Sequence, residues 1–229
     1  MEVPMKTGII CAGDSEFFPF LDYLTEEKVT EKAMLHFHEG KIAGRSVVVL
    51  YSGVCKVNAA IAAQLLIDTF RTDLILNAGT AGGIAGDVRL FDTIAAERTA
   101  YHDVDDDILT DFHPWMKSIY FDASPMLLDL ARRVSAQSPH PIRFGTTVTG
   151  EQFINNPQRE AILDKYHPLA VDMESASIAH VCYVNRIPFL SLRTITDTAL
   201  HEGQDNFEKN CEKASRICAG LTVKLLGLL

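Results

Sequence analysis

From one end of this chain to the other, short apolar runs of strand length alternate with stretches whose apolar residues recur at helical spacing, and no feature constrains its fold more. Residues 7–12 are such a run, closed by Gly13-Asp14-Ser15, after which Phe17, Phe18, Phe20, Leu21 and Leu24 mark a helix. Residues 34–51 predict a hairpin, with a turn at Glu39-Gly40 or Ala43-Gly44 before Val47-Val48-Val49-Leu50-Tyr51. A helix follows over 57–70, its Ala59, Ala60 and Ala63 small enough to let it lie close to a sheet, and 73–78 is the next strand. The rhythm continues with strands at 92–99, 142–149 and 187–195 and helices at 126–136, 157–166 and 173–184. In the last helix Cys211, Ala214, Cys218, Leu221, Leu225 and Leu228 step by three and four. No repeat, low-complexity stretch or linker interrupts the pattern, so residues 1–229 are expected to form one α/β domain around a central sheet.

Composition narrows the function. With 47% apolar residues among 229, the chain can build a sizeable core without a metal or disulfide staple. Its formal net charge of −9 repels polyanions, which argues against nucleic-acid and membrane-surface partners. The longest apolar runs, 47–51 and 187–192, fall far short of the roughly 20 residues that span a bilayer. Cys11, Cys55, Cys182, Cys211 and Cys218 form an odd set without a C-x-x-C pair and read as buried thiols. Together with a start, Met1-Glu2-Val3-Pro4-Met5-Lys6, that lacks a signal-peptide pattern, they point to a reducing, cytoplasmic compartment.

Several segments invite chemistry. Ala78-Gly79-Thr80-Ala81-Gly82-Gly83 follows a strand, and its glycines permit either backbone approach to a ligand or tight packing turns; neither the P-loop nor the G-x-G-x-x-G pattern is present. Gly13-Asp14-Ser15 has the look of a lipase-like nucleophile motif, but Asp197 and His201 lack the D-x-x-H spacing such a serine needs. His36 and His38 share a strand face without a third ligand and read as a solvated hairpin edge, and Asp105-Asp106-Asp107 reads as a solvent-facing acidic loop. The richest signal is Val171-Asp172-Met173-Glu174-Ser175-Ala176, followed by Leu192-Arg193-Thr194-Ile195-Thr196-Asp197. Glu174 opens a helix, where a carboxylate offsets the dipole. Asp197 ends a strand too apolar to be exposed, at the edge where open α/β sheets bind ligands, and Arg193 is a buried cation in need of an anionic partner.

These stretches resemble the nucleoside phosphorylase and nucleosidase superfamily, and within it the bacterial 5′-methylthioadenosine/S-adenosylhomocysteine nucleosidases. The resemblance covers nearly the whole chain. It rests on Gly8-Ile9-Ile10-Cys11-Ala12 leading to Glu16, on Asn77-Ala78-Gly79-Thr80-Ala81-Gly82-Gly83, on Val171-Asp172-Met173-Glu174, and on Arg193-Thr194-Ile195-Thr196-Asp197, with lesser matches at Tyr101-His102-Asp103 and Gly150-Glu151-Gln152-Phe153-Ile154. It implies a three-layer α/β/α phosphorylase/nucleosidase-like fold with a central mixed twisted sheet, working as a homodimer without cofactor or metal.

The resemblance also implies roles. Asp197 matches the acid that protonates N7 of adenine, and Glu16 the carboxylate that activates water. Glu174 would accept hydrogen bonds from the 2′ and 3′ hydroxyls, with Met173 packing on the sugar. Phe153 would stack on adenine, Ile154 would offer backbone groups to its edge, and Phe207 would line the side of the 5′ substituent, while Arg193 and Thr80 would help hold the water and Glu16.

Hydrolysis is expected over phosphorolysis, because Asn77-Ala78 stands where related phosphorylases place an arginine and Glu16 repels an anion. A purine nucleoside phosphorylase and a non-catalytic nucleoside-binding protein are the competing readings. The family pattern is broken at Gly13-Asp14-Ser15 and in the polar stretch 104–115, where family members carry an apolar loop that closes the 5′ pocket across the dimer. These departures predict a retained catalytic core with 5′ specificity shifted or relaxed, toward polar groups such as those of S-adenosylhomocysteine or aminodeoxyfutalosine.

Overall fold

The structure, a computed structural model, describes residues 5–140, 142–154, 156–198 and 204–229. Its elements, in chain order, are β1 (Lys6–Cys11), α1 (Asp14–Leu21), β2 (Thr25–Lys32), β3 (Leu35–Ile42), β4 (Arg45–Tyr51), α2 (Lys56–Asp68), β5 (Leu74–Gly83) and β6 (Thr93–Tyr101). There follow α3 (Ile108–Asp111), β7 (Phe121–Asp122), α4 (Pro125–Ala136), β8 (Ile142–Thr149), α5 (Asn156–Tyr166), β9 (Ala170–Asp172), α6 (Ser175–Asn185), β10 (Phe189–Thr198) and α7 (Gln204–Leu226).

The strands form one mixed sheet in the order β10-β6-β8-β9-β5-β1-β4-β3-β2, with β7 added beside β6. Because β10 pairs with β5 as well as β6, one end of the sheet closes into a ring. Side chains alternate across the central strands. Ile9, Leu74 and Leu76 pack with Phe17, Phe20, Leu127, Cys218 and Leu225 on the α1, α4 and α7 side. Their neighbours Ile10 and Ile75 pack with Ala59, Ala63, Leu66, Ile178 and Cys182 on the α2 and α6 side. Strands covered on both faces read as unbroken apolar runs, and that explains the sequence signal. Each fully buried Leu or Ile contributes about 1.5–3 kcal/mol to holding the three layers together.

Three strands left no apolar pattern to read. β2, Thr-Glu-Glu-Lys-Val-Thr-Glu-Lys, is exposed along almost its whole length at the free edge of the sheet, where its charges discourage pairing with another chain. β7 and β9 are two and three residues long. The hairpin turn falls at Ala43-Gly44, both with positive φ, while Glu39-Gly40 stays inside β3. The glycines of 79–83 are not turns; they lie inside β5, which runs on to Gly83. Cys55 also departs from expectation, being only half-buried.

Candidate active site

The chain segments that leave the carboxyl ends of β1, β5, β9 and β10 surround a cavity of about 430 Å³. Glu16, Thr80, Phe153, Ile154, Met173, Glu174, Arg193, Asp197 and Phe207 all line it, although they come from six separate stretches of sequence.

Glu16 sits in the first turn of α1, and its carboxylate reaches back over the helix start. Oε2 accepts hydrogen bonds from the backbone N–H of Ala12 at 2.7 Å and of Gly13 at 3.3 Å. A capping role would end there, but Oε1 accepts two more from β5, from the Thr80 N–H and from Thr80 Oγ1, both at 2.7 Å. The approach to β5 is possible only because residue 79 has no side chain, since a Cβ at Gly79 would lie 2.5 Å from the carboxyl group.

Arg193, 1% exposed, is the largest fully buried side chain. Nη2 donates to Glu174 Oε2 and to Asn77 Oδ1, each at 3.0 Å, and Nη1 donates to the Thr80 carbonyl at 3.0 Å. Asp172 Oδ2 lies 3.4 Å from Nε and Glu16 Oε1 lies 3.6 Å from Nη1, so three carboxylates share one guanidinium. Burial works against its charge, and Asp172, Glu174 and Glu16 overcome that and hold it protonated.

Glu174 does not cap its own helix. Oε1 instead accepts from the Cys55 N–H at the start of α2, at 2.9 Å. Desolvation pushes its carboxyl up to about 7, against the pull of Arg193. Asp172 caps α6 in its place, accepting from the Glu174 and Ser175 N–H groups and from Thr149 Oγ1.

Asp197 lies just past an irregularity between Ile195 and Asp197 in the pairing of β10 with β5. Its Oδ1 accepts from Thr196 Oγ1 at 2.8 Å. Desolvation holds this carboxyl above the usual aspartate value, partly countered by the Thr196 hydrogen bond and by the charge of Arg159. A Cβ at Gly82 would lie 3.1 Å from Oδ2, so this carboxylate, too, leans over a glycine of β5. The aromatic wall is Phe153, 60% exposed, set edge-on to Phe207 with ring centroids 6.1 Å apart.

Of the motifs set aside on sequence, His36 with His38 and Asp105-Asp106-Asp107 stay apart from this cavity. His38 bonds Glu27, and Asp106 bonds Lys165 at the surface. Among the described residues no group of three or more His, Cys, Asp or Glu is arranged to hold a metal ion. Ser15 lines the cavity with its hydroxyl 3.2 Å from Cys211 Sγ, and His201 lies outside the described residues. None of the described residues of the polar 104–115 stretch lines the cavity. Sequence reasoning missed Arg159, which lines the cavity and donates to the Gly83 and Ile84 carbonyls, and it missed the anchoring roles of Asn77, Asp172 and Cys55. A lone arginine in a polar helix and a backbone N–H give no sequence signal. Asp172 did, as a second acid within the motif of Glu174.

The model of the phosphorylase superfamily matches residues 6–227. A 5′-methylthioadenosine/S-adenosylhomocysteine nucleosidase of Exiguobacterium sp. is 38% identical over 92% of this chain and 93% of its own length. Among solved structures, the nucleosidase of Helicobacter pylori superposes with a TM-score of 0.92 at 26% identity over 100% of both chains. The futalosine hydrolase of the same organism does so with a TM-score of 0.91 at 27% identity over 98% of each. With a paired-carboxylate cavity at the strand ends and relatives of this closeness over its full length, the chain belongs to the phosphorylase superfamily and, within it, to the 5′-methylthioadenosine/S-adenosylhomocysteine nucleosidases.

Proposed function

We propose that this chain hydrolyses the N-glycosidic bond of 5′-substituted adenine nucleosides, such as 5′-methylthioadenosine or S-adenosylhomocysteine, and releases adenine. One observation carries the reading: Glu16 and Asp197 face the same cavity in opposite electrostatic settings, the first accepting four hydrogen bonds and the second desolvated with its carboxyl raised. Breaking the bond leaves a cationic sugar and an electron-rich base. Asp197, protonated, gives its proton to N7 as the C1′–N9 pair of electrons withdraws into the purine. Water attacks C1′ and Glu16 takes its proton, so the products are a free sugar and neutral adenine. Glu174 accepts the ribose hydroxyls, Met173 packs on the sugar, and Phe153, Ile154 and Phe207 hold the base and the 5′ group.

Water is favoured over phosphate because the two arginines that line the cavity are already engaged, Arg193 by carboxylates and carbonyl oxygens and Arg159 by the Gly83 and Ile84 carbonyls. Ser15 at the cavity wall supports a preference for polar 5′ groups. The chain acts as a single domain and as a homodimer that covers exposed apolar side chains, Val57 and Ile61 on α2, Tyr183 on α6, and Phe112 and Trp115 between α3 and β7. Its unpaired cysteines suit the cytoplasm. Turnover of methylthioadenosine, S-adenosylhomocysteine, deoxyadenosine and inosine, each with and without phosphate, tests the reading. Phosphate-independent adenine release is expected. A requirement for phosphate with a sugar-1-phosphate product would make the chain a phosphorylase, and binding without base release would make it a binder. Equal or better turnover of methylthioadenosine than of every polar analogue would refute the 5′ preference.

A further inference from the structure

Two consecutive backbone N–H groups at the start of α2 each hold a glutamate: Glu174, which lines the cavity, and Glu151, which immediately precedes the lining residues Gln152 and Phe153. Cys55 N–H binds Glu174 Oε1 on the ribose side, and Lys56 N–H binds Glu151 Oε1, both at 2.9 Å. A helix start favours negative charge, so both contacts strengthen together. Glu151 belongs to a closed triangle. Its own N–H donates to Asp103 Oδ2 at 3.0 Å, and Lys56 Nζ donates to both Asp103 oxygens at 2.9 and 3.0 Å. Three chain segments, the end of β6, the start of α2 and the strand exit after β8, are pinned at one point.

Two residues beyond Glu151 comes Phe153, whose ring is mostly solvent-exposed and rests edge-on against Phe207. Packing alone does little to fix such a ring. We propose that Glu151 is a positioning residue which, through the Lys56–Asp103 pair, holds the Phe153 wall at a set distance from Glu174, so that base and ribose are gripped by one frame. The inference rests on the nucleosidase reading. Because the base is held alike in the bound substrate and in the transition state, loosening this wall weakens uniform binding and leaves the bond-breaking groups in place.

The test is steady-state kinetics of adenine release on the full chain. Glu151→Ala is expected to raise KM about five- to tenfold with kcat within twofold of the native enzyme. Glu151→Gln keeps an acceptor for the Lys56 N–H and should raise KM about twofold. Asp103→Ala, which breaks another edge of the triangle, should match Glu151→Ala, and the double variant should be no worse than either single one, as members of one network behave. Glu97→Gln, which removes the surface pair with Arg132, serves as the control and should change neither constant. An unchanged KM in Glu151→Ala, with or without a fall in melting temperature, overturns the proposal, as does a loss confined to kcat. Should Glu151→Ala not fold, Asp103→Ala gives the same readout. If the native chain releases no adenine, the nucleosidase reading fails by itself, and calorimetric binding of adenine to native chain and variants decides the proposal by the same five- to tenfold criterion.

Discussion

Gly79 and Glu16 occupy one space: the place where a side chain would begin on β5 is filled by the carboxyl group of α1. Replacing Gly79 by Ala puts a methyl group 2.5 Å from that carboxyl, the end of a side chain that four hydrogen bonds hold in place. Glu16 must then leave Thr80, so kcat should fall at least about 100-fold, since displacement by about 1 Å has that effect on a reacting group. Overpacking should cost about 1–3 kcal/mol of stability, read by denaturant unfolding. Gly82→Ala, at 3.1 Å from Asp197 Oδ2, should be milder in both respects.

Substituting Glu16 and Asp197, the proposed base and acid, separates chemistry from binding. Asp197→Asn and Glu16→Gln should each lower kcat by about 10²–10⁴, the usual contribution of a positioned acid or base, while nucleoside binding stays measurable by calorimetry. Unchanged turnover in either variant removes that residue from the mechanism.

The pH profile follows from two raised carboxyls. In the proposed role Glu174, held up to about 7, accepts both ribose hydroxyls best when ionised, so KM should fall as pH rises through 7, and Glu174→Gln should lose this trend. Asp197 must carry its proton, so kcat should decline as pH rises through its own raised value. Stability follows the same proton: between the ordinary glutamate value and about 7 the folded state keeps it and the unfolded chain does not. Melting temperature therefore drops as pH rises across that window in the native protein, and drops less in Glu174→Gln.

How much of this could be read from the chain depends on what each feature buries. Strands such as β8, covered on both faces, announced themselves to the residue, whereas β2, an exposed charged edge, carried no period to find. At the cavity, Arg193 and Asp197 were legible because charge inside an apolar strand demands a reason. The grip of Cys55 on Glu174 was not, since a backbone N–H donates whatever side chain it bears and the pair is 119 positions apart. The Gly79–Glu16 fit was equally silent, because a glycine in a strand looks like a glycine in a turn until its neighbour is known.

Removing Arg193 isolates what it balances. Arg193→Leu leaves Glu16, Asp172 and Glu174 buried without a cation and should destabilise the fold by about 3–5 kcal/mol, observed as a lowered midpoint of denaturant unfolding. A loss below about 1 kcal/mol would mean the acids rearrange to solvent.

Cys55 holds a backbone conformation, φ 82 and ψ 165, that belongs almost solely to glycine. Cys55→Gly keeps the N–H that binds Glu174 and relieves the strain. It should raise stability by about 1 kcal/mol with activity intact, whereas Cys55→Val should lower both, as thermal melts and turnover would record.

Because each of the two carboxylates proposed to react rests on a glycine of the same strand, Gly79 for Glu16 and Gly82 for Asp197, the gap between them is metered in peptide units. Three residues of extended chain span about 10 Å. The enzyme thus carries a ruler made of main chain, which cannot be retuned by exchanging side chains; a guest whose scissile bond does not fit between those two marks meets the acid or the base, never both.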